Sequence, residues 1–117
     1  MSYEKGAGYI YMIKPYTYYK DGVERIPFKI GYSRHEDVTP RLKSIQMGNF
    51  MSLHIHATYG RMIDIKSHER TIHNYILNKF SKAKPHDSAG KEWFWLSRKE
   101  LKEVEKLTLN IANYYCV

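Results

Sequence analysis

The sequence contains little cysteine and no long apolar run. Its single cysteine, Cys116, precedes the last residue, which excludes a disulfide framework and a cysteine-rich zinc site. No apolar run reaches the roughly 18 residues that a membrane-spanning helix requires. The first ten residues, MSYEKGAGYI, lack the pattern of a signal peptide. We therefore expect an intracellular, cytoplasmic protein without a membrane partner.

Length and charge narrow the class further. The 117 residues suffice for one domain, residues 1–117, and 43% apolar with 26% charged residues is typical of a globular fold. Lysine and arginine number 19 against 12 acidic residues, a formal net charge of +7, and the excess is spread along the whole chain. A small, evenly basic domain favours a polyanionic partner, most commonly nucleic acid. A charge that only aids solubility is the alternative.

Hydrophobic periodicity predicts the order strand, strand, helix, strand, helix, short strand, helix. The strands are expected at residues 9–14, 26–33, 53–59 and 92–96, and the helices at about 40–47, 64–80 and from 98 onward. Thr39 is the predicted N-cap of the first helix, and Ser97 with Glu100 forms a predicted capping box for the last. Asp21-Gly22 predicts a tight hairpin turn. This order predicts an α/β fold of the α+β type, with helices packed on a small, mainly antiparallel sheet.

Glu69 interrupts the apolar stripe of the second predicted helix. It follows Ile65 by four residues and precedes Ile72 by three, so helical geometry places it inside the stripe. A carboxylate there needs a metal, a cation or strong hydrogen bonds. A glutamate at the margin of the stripe, reaching into water, is an equally good interpretation. His73, four residues further along, lies on the same helical face.

Two basic residues also break their local patterns. Arg41 falls in the first turn of the first helix, where a positive charge opposes the helix dipole. An anion bound between backbone N–H groups and the guanidinium would explain it; an ordinary exposed arginine is the alternative. Lys29 interrupts an apolar strand. Beside a tyrosine hydroxyl it would lower the phenol pKa from about 10, although a solvent-facing lysine is the simpler interpretation.

The histidine and tryptophan residues give weaker signals. His54 and His56 share one face of the third strand, but without an evident third ligand we rank a zinc site low. Trp93, Phe94 and Trp95 have the chemistry to stack on bases. We expect them instead to be buried beside the last helix.

A set of short motifs occurs in order along the chain. They are Tyr9-Ile10-Tyr11, Lys29-Ile30-Gly31, Arg41, Gly48-Asn49, His68-Glu69 and Glu92-Trp93-Phe94. Together they resemble the GIY-YIG nuclease superfamily, and they look closest to the branch, frequent in phages and found in fungi, whose second tripeptide is KIG. The resemblance covers roughly residues 8–97, with tyrosine at position 9 where the name-giving motif has glycine.

The resemblance implies a fold, an activity and four catalytic residues. The fold is a small three-stranded antiparallel sheet flanked by helices, and the activity is metal-dependent hydrolysis of phosphodiester bonds in DNA, with Mg²⁺ (or Mn²⁺) as cofactor. Tyr11 matches the tyrosine that activates the attacking water, and Lys29 a lysine that assists it. Arg41 matches the arginine that holds the scissile phosphate. Glu69 matches the metal ligand, and one carboxylate suits a single Mg²⁺, which keeps several waters.

A wider set of residues is predicted to contact nucleic acid. Its members are aromatic, polar or basic and lie near the motifs or in the lysine-bearing loop at residues 82–91. They are Tyr9, Tyr32, Ser33, Lys43, His73, Lys82, Lys84 and Lys91. The oligomeric state is open, and a homodimer through the tyrosine-rich hairpin or the last helix is one expectation. A phage-encoded chain would act in the host cytoplasm.

A joint role for Tyr11 and Lys29 makes a geometric demand on the hairpin. If Asp21-Gly22 is a clean two-residue turn, a regular ladder pairs Tyr11 with Tyr32. Lys29 then points to the opposite face from Tyr11, because side chains alternate along a strand. One bulge would return both to the same face, and we predict it at a strand proline. The candidate positions are Pro15 and Pro27.

Three functions are compatible with the sequence. A single-domain, magnesium-dependent DNA endonuclease is the leading hypothesis. A catalytically inactive nucleic-acid-binding module of the same fold is the alternative, although such a module has no need to keep all four catalytic residues. An adaptor that binds a protein partner is the third, and strong, salt-dependent DNA binding would argue against it. For an enzyme, the four side chains must converge on one cleft.

Overall fold

The computed structural model describes residues 6–49, 51–83 and 92–117. Within these ranges the helices and strands follow the predicted order. They are β1 (Gly8–Pro15), β2 (Arg25–Ser33), α1 (Thr39–Met47), β3 (Leu53–Met62), α2 (Ile65–Lys79), a 3-10 helix (Ser81–Ala83), β4 (Trp93–Ser97) and α3 (Arg98–Tyr114). In this part of the chain, no helix has the length and apolar character to cross a membrane.

The described strands form one antiparallel sheet of four strands in the order β3-β1-β2-β4. The prediction of a three-stranded sheet was therefore wrong by one strand. The short aromatic strand β4 pairs with β2, from Arg25 opposite Ser97 to Lys29 opposite Trp93. This pairing satisfies backbone groups of β2 that would otherwise lie at an open edge. It also buries Trp93 and Phe94, as expected, whereas Trp95 is 37% exposed.

The β1–β2 hairpin shows the one-residue register shift that the predicted bulge would cause. At its tip Lys20 bridges Val23, as a two-residue turn requires. A regular ladder from that point would pair Tyr11 with Tyr32. Tyr11 instead pairs with Gly31, so the register has moved by one residue.

The extra residue lies in the first arm of the hairpin. Ile13 pairs with Lys29, and between this pair and the tip the first arm is one residue longer than the second. Pro15 lies in that longer arm. Because side chains alternate, the shift brings Tyr11 and Lys29 to the same face of the sheet.

Helices pack on both faces of the sheet. On one face, α2 and α3 cover the main core, to which β1 and β2 contribute Ile10, Met12, Phe28 and Ile30. The predicted seam of α2 is buried there: Ile65, Ile72, Ile76 and Phe80. The opposite face carries a smaller cluster with Tyr11, Ile13 and Trp93, against which Leu42 and Ile45 of α1 pack. Tyr11 therefore lies on the face covered by α1.

The helix termini confirm one capping prediction and correct another. Ser97 and Glu100 form the predicted capping box at the start of α3, with both reciprocal hydrogen bonds present. Thr39 was wrongly predicted as the N-cap of α1, because Val38 occupies that position. The backbone N–H of Thr39 donates instead to Asp37 Oδ1, at 3.0 Å. This bond satisfies a free donor and lets the helix begin one residue earlier.

Candidate active site

Tyr11 lies at the centre of the candidate site. Its side chain is 2% exposed, and its ring covers Gly31, its partner on β2. A Cβ atom at Gly31 would come 2.6 Å from Tyr11 Cζ, so only glycine permits this approach. The glycine of the Lys29-Ile30-Gly31 tripeptide thus fixes the position of the tyrosine in the first motif.

Several charged side chains lie near enough to Tyr11 to shift its pKa. Burial raises the pKa of Tyr11 to about 12; Glu92 and Glu69 raise it as well, while Arg41 lowers it. A pKa lowered by a neighbouring lysine was one interpretation of the sequence; the net shift is upward instead, because burial and the two carboxylates dominate. At neutral pH the Tyr11 side chain is a neutral phenol.

Lys29 has a direct acidic partner that the sequence analysis did not assign. Its Nζ donates to Glu92 Oε2 at 2.6 Å. Glu92 immediately precedes β4, and its backbone oxygen accepts from the N–H of Ile30 at 2.9 Å. The only signal in the sequence was the Glu92-Trp93-Phe94 fragment of the resemblance.

Helix α2 covers the part of the β2 edge that β4 does not reach. The Nε2–H of His73 donates to the backbone oxygen of Ile30 at 2.7 Å. The backbone N–H of Tyr32, two residues further along the same edge, donates to the carboxylate of Glu69. Glu69 and His73 lie one helical turn apart, so together they satisfy adjacent backbone groups of an open strand edge.

The carboxylate of Glu69 is half-buried and incompletely bonded. Burial raises its pKa to about 7, and Glu92 contributes in the same direction. Lys29, the Tyr32 N–H and Arg41 lower it. Its Oε2 atom is buried and has no hydrogen-bond partner among the described residues. A buried acceptor without a donor is rare and marks a position where a ligand would be stabilised.

These carboxylates fit a divalent cation with oxygen ligands. Glu69 offers the unbonded Oε2, and Glu92 is close enough for its charge to raise the pKa of Glu69. In the described ranges, no three side chains of His, Cys, Asp or Glu form a potential metal-binding group. A hard cation such as Mg²⁺ could be held by one or two carboxylates, because it takes water and substrate oxygens as further ligands.

Arg41 lines a cleft next to these residues. The cleft has a volume of about 520 Å³ and an exposed guanidinium in its wall, with Ser33, His35, Asp37, Pro40 and Ser44 as the other lining residues. The first turn of α1 contains no acidic residue. Arg41 lies close enough to the site to lower the pKa of both Tyr11 and Glu69. An anion entering this cleft would meet a positive charge and the N-terminus of a helix.

The family model of the T5orf172 domain matches residues 8–108 of the chain. The chain belongs to the T5orf172 domain family. This domain is phage-associated, of the GIY-YIG/HNH-like endonuclease type, and is associated with nuclease and DNA-binding function. No curated protein and no solved structure matches the chain. The KIG branch named in the sequence analysis stays a prediction.

The other residues that were predicted from the sequence to contact nucleic acid lie around the cleft and beyond it. Ser33 is buried in the cleft wall, where its Oγ donates to the backbone oxygen of His35 at 3.0 Å. Tyr9 and Tyr32 are half-buried, and Lys43 is exposed on α1, the helix that carries Arg41. Lys82 is exposed in the 3-10 helix. Lys84 and Lys91 lie outside the described residues.

His54 and His56 of the T5orf172 domain have separate partners. Nε2 of His54 lies 3.3 Å from Nζ of Lys14. Nε2 of His56 lies 3.3 Å from Oε2 of Glu105 on α3. Both histidine side chains therefore have polar partners within the fold, and neither of these contacts involves Tyr11.

Proposed function

We propose that the protein is a divalent-metal-dependent DNA endonuclease that hydrolyses phosphodiester bonds. The observation that carries this proposal is the buried, unbonded oxygen of Glu69, near a buried tyrosine and an exposed arginine in a cleft. Phosphodiester hydrolysis needs a positioned water and positive charge where negative charge develops. Membership of a domain family associated with nuclease function supports the same conclusion.

Each side chain has a role that follows from its chemistry. Arg41 holds the scissile phosphate in the open cleft through its forked guanidinium. The Tyr11 hydroxyl, held in place by Gly31, hydrogen-bonds and orients the attacking water. To act as the base it must first lose its own proton to solvent, and the resulting phenolate then accepts the proton of the water as the bond forms. Lys29 adds positive charge on the same face of the sheet, although its hydrogen-bond partner is Glu92.

Glu69 would hold Mg²⁺ or Mn²⁺ through its unbonded oxygen, and Glu92 is a second carboxylate whose charge acts on Glu69. The cation would supply positive charge that stabilises the phosphate oxygens and opposes the carboxylate charges that raise the pKa of Tyr11. The protein contributes the fixed positions of these side chains on β1, β2 and α2.

A catalytically inactive nucleic-acid-binding module is the second candidate. One observation favours it: burial and two nearby carboxylates raise the pKa of Tyr11 to about 12. A phenol with that pKa is almost never deprotonated at neutral pH, so it cannot serve as a base unless its surroundings change on substrate binding. Such a module would use the Arg41 cleft to bind phosphate without hydrolysing it.

Plasmid nicking separates the two candidates. The full chain is incubated with supercoiled DNA and Mg²⁺ or Mn²⁺, with EDTA as the metal-free control, and Glu69→Ala and Tyr11→Phe are assayed in parallel. The endonuclease nicks only with metal, and both variants lose most of the activity while still binding DNA. Salt-sensitive DNA binding without nicking by the unmodified chain would establish the binding module instead.

A further inference from the structure

Glu92 lies at the junction of the groups that form the candidate site. Its Oε2 accepts from Lys29 Nζ at 2.6 Å; the Glu92 side chain is 38% exposed and the Lys29 side chain 16%. Its charge also acts on the other groups, since burial and Glu92 together raise the pKa of Tyr11 and of Glu69. Of these neighbours, Lys29 is the one that Glu92 binds directly.

The backbone of Glu92 is fixed by the sheet. Lys29 and Trp93 form the last pair between β2 and β4, and the oxygen of Glu92 accepts from the N–H of Ile30 at 2.9 Å. Its side chain therefore starts from a rigid position directly beside Lys29. A carboxylate on such a support can hold a flexible lysine in one place.

The charge of Lys29 also acts on a second carboxylate, that of Glu69. Burial and Glu92 raise the pKa of Glu69, and Lys29 is the strongest influence that lowers it. The Oε2 atom of Glu69 is buried without a hydrogen-bond partner in the described part of the chain. Because a lysine ammonium sits on a flexible four-carbon stem, it would pair with this oxygen if no other carboxylate held it.

We propose that Glu92 is a positioning residue that holds the Lys29 ammonium away from Glu69 and so keeps an oxygen of Glu69 free to bind a divalent cation. The inference rests on the proposed function in one respect, namely that Glu69 is the metal ligand. It adds a role for Glu92 that acts through Lys29 and requires no contact between Glu92 and the cation.

The proposal predicts that removing the Lys29 ammonium reverses the effect of removing the Glu92 carboxylate. In Glu92→Gln the ammonium of Lys29 turns to Glu69, and the affinity for Mn²⁺ falls about tenfold, the lower end of the range for residues that support metal ligands. In the double variant Glu92→Gln/Lys29→Met no ammonium competes, and the affinity returns to within about twofold of the unmodified chain. Lys29→Met alone binds Mn²⁺ at least as tightly as the unmodified chain.

Titration of the full chain with Mn²⁺, without DNA, tests the inference by calorimetry or electron paramagnetic resonance. Circular dichroism melts of every variant exclude loss of the fold as the cause, and recovery in the double variant does so independently. A double variant as weak as Glu92→Gln would overturn the inference, because the effect of Glu92 would then not act through Lys29. An unchanged affinity in Glu92→Gln would also overturn it.

The variant Glu69→Gln separates this inference from the proposed function. If Glu69→Gln loses Mn²⁺ binding while Glu92→Gln keeps it, only the role of Glu92 is wrong. If Glu69→Gln binds Mn²⁺ as tightly as the unmodified chain, Glu69 is not the ligand, and both the metal role in the proposed function and this inference fail.

Discussion

Gly31 lies directly beneath the phenol ring of Tyr11. The two residues pair across β1 and β2, and a Cβ atom at Gly31 would lie 2.6 Å from Cζ of the tyrosine. The position of the hydroxyl thus depends on the absence of a side chain on the neighbouring strand. This explains in physical terms why a glycine follows the lysine and isoleucine of the second motif.

Replacing Gly31 by alanine should therefore displace the Tyr11 hydroxyl. The ring or the strand must move to relieve the contact, and a displacement of about 1 Å can cost about a hundredfold in rate. We expect Gly31→Ala to reduce plasmid nicking by that factor. Gly48→Ala is the matched control, because its added Cβ would meet only the oxygen of Ile45, at 3.9 Å. Equal activities in the two variants would contradict the proposed importance of the ring position.

The local part of this fold was predictable from the sequence because short-range patterns determine it. The apolar period placed Ile72 and Ile76 in the buried seam of α2, and the Ser97 to Glu100 spacing predicted a capping box that is present. Counting residues from the hairpin tip was enough to require a bulge if Tyr11 and Lys29 share a face. Each of these inferences needs only nearby residues.

The electrostatics of the site depend on contacts that no local pattern reveals. Glu92 reaches Lys29 only because β4 pairs with β2, and the sequence does not specify which strand lies beside which. The raised pKa of Tyr11 was not predictable for the same reason: burial, Glu92 and Glu69 raise it, and their influence comes from the sheet, β4 and α2 together. Long-range assembly decides both features.

Arg41 should contribute through its position as well as its charge. It is exposed in the cleft beside Tyr11 and Glu69, where a guanidinium can hold a phosphate with two hydrogen bonds. We expect Arg41→Ala to lower the nicking rate about a hundredfold, as for other groups that stabilise developing charge. Arg41→Lys should recover only part of the loss, because an ammonium cannot form the same fork.

The control for Arg41 is Lys102→Ala, which removes one positive charge from an exposed position on α3. Helix α3 packs on the face of the sheet opposite α1, so its charge is remote from the cleft. If both alanine variants lowered nicking equally, the effect would be general attraction to DNA, and Arg41 would have no specific role.

Glu100 should stabilise the fold through two separate sets of hydrogen bonds. Its carboxylate accepts from the N–H of Ser97 at 2.9 Å and from Arg25 at 2.7 Å, which joins the start of α3 to β2. We expect Glu100→Gln to lower the free energy of unfolding by about 2 kcal/mol in urea denaturation. Glu103→Gln is the control: its partner Lys79 is 53% exposed, so its loss should change stability little.

The contribution of Glu100 should also depend on pH. Burial opposes its ionisation, but the hydrogen bonds from Ser97 and Arg25 outweigh burial and hold its pKa below the ordinary 4.5. Because the folded state binds this proton less tightly than the unfolded state, the stabilisation is complete above that value and is lost as the pH falls through the folded pKa. The difference in unfolding free energy between the unmodified chain and Glu100→Gln should be constant from about pH 7 to about pH 5 and shrink at lower pH. Urea denaturation of both proteins at about pH 7 and about pH 3 measures this difference. An equal gap at the two pH values would mean that the stabilisation by Glu100 does not require its negative charge.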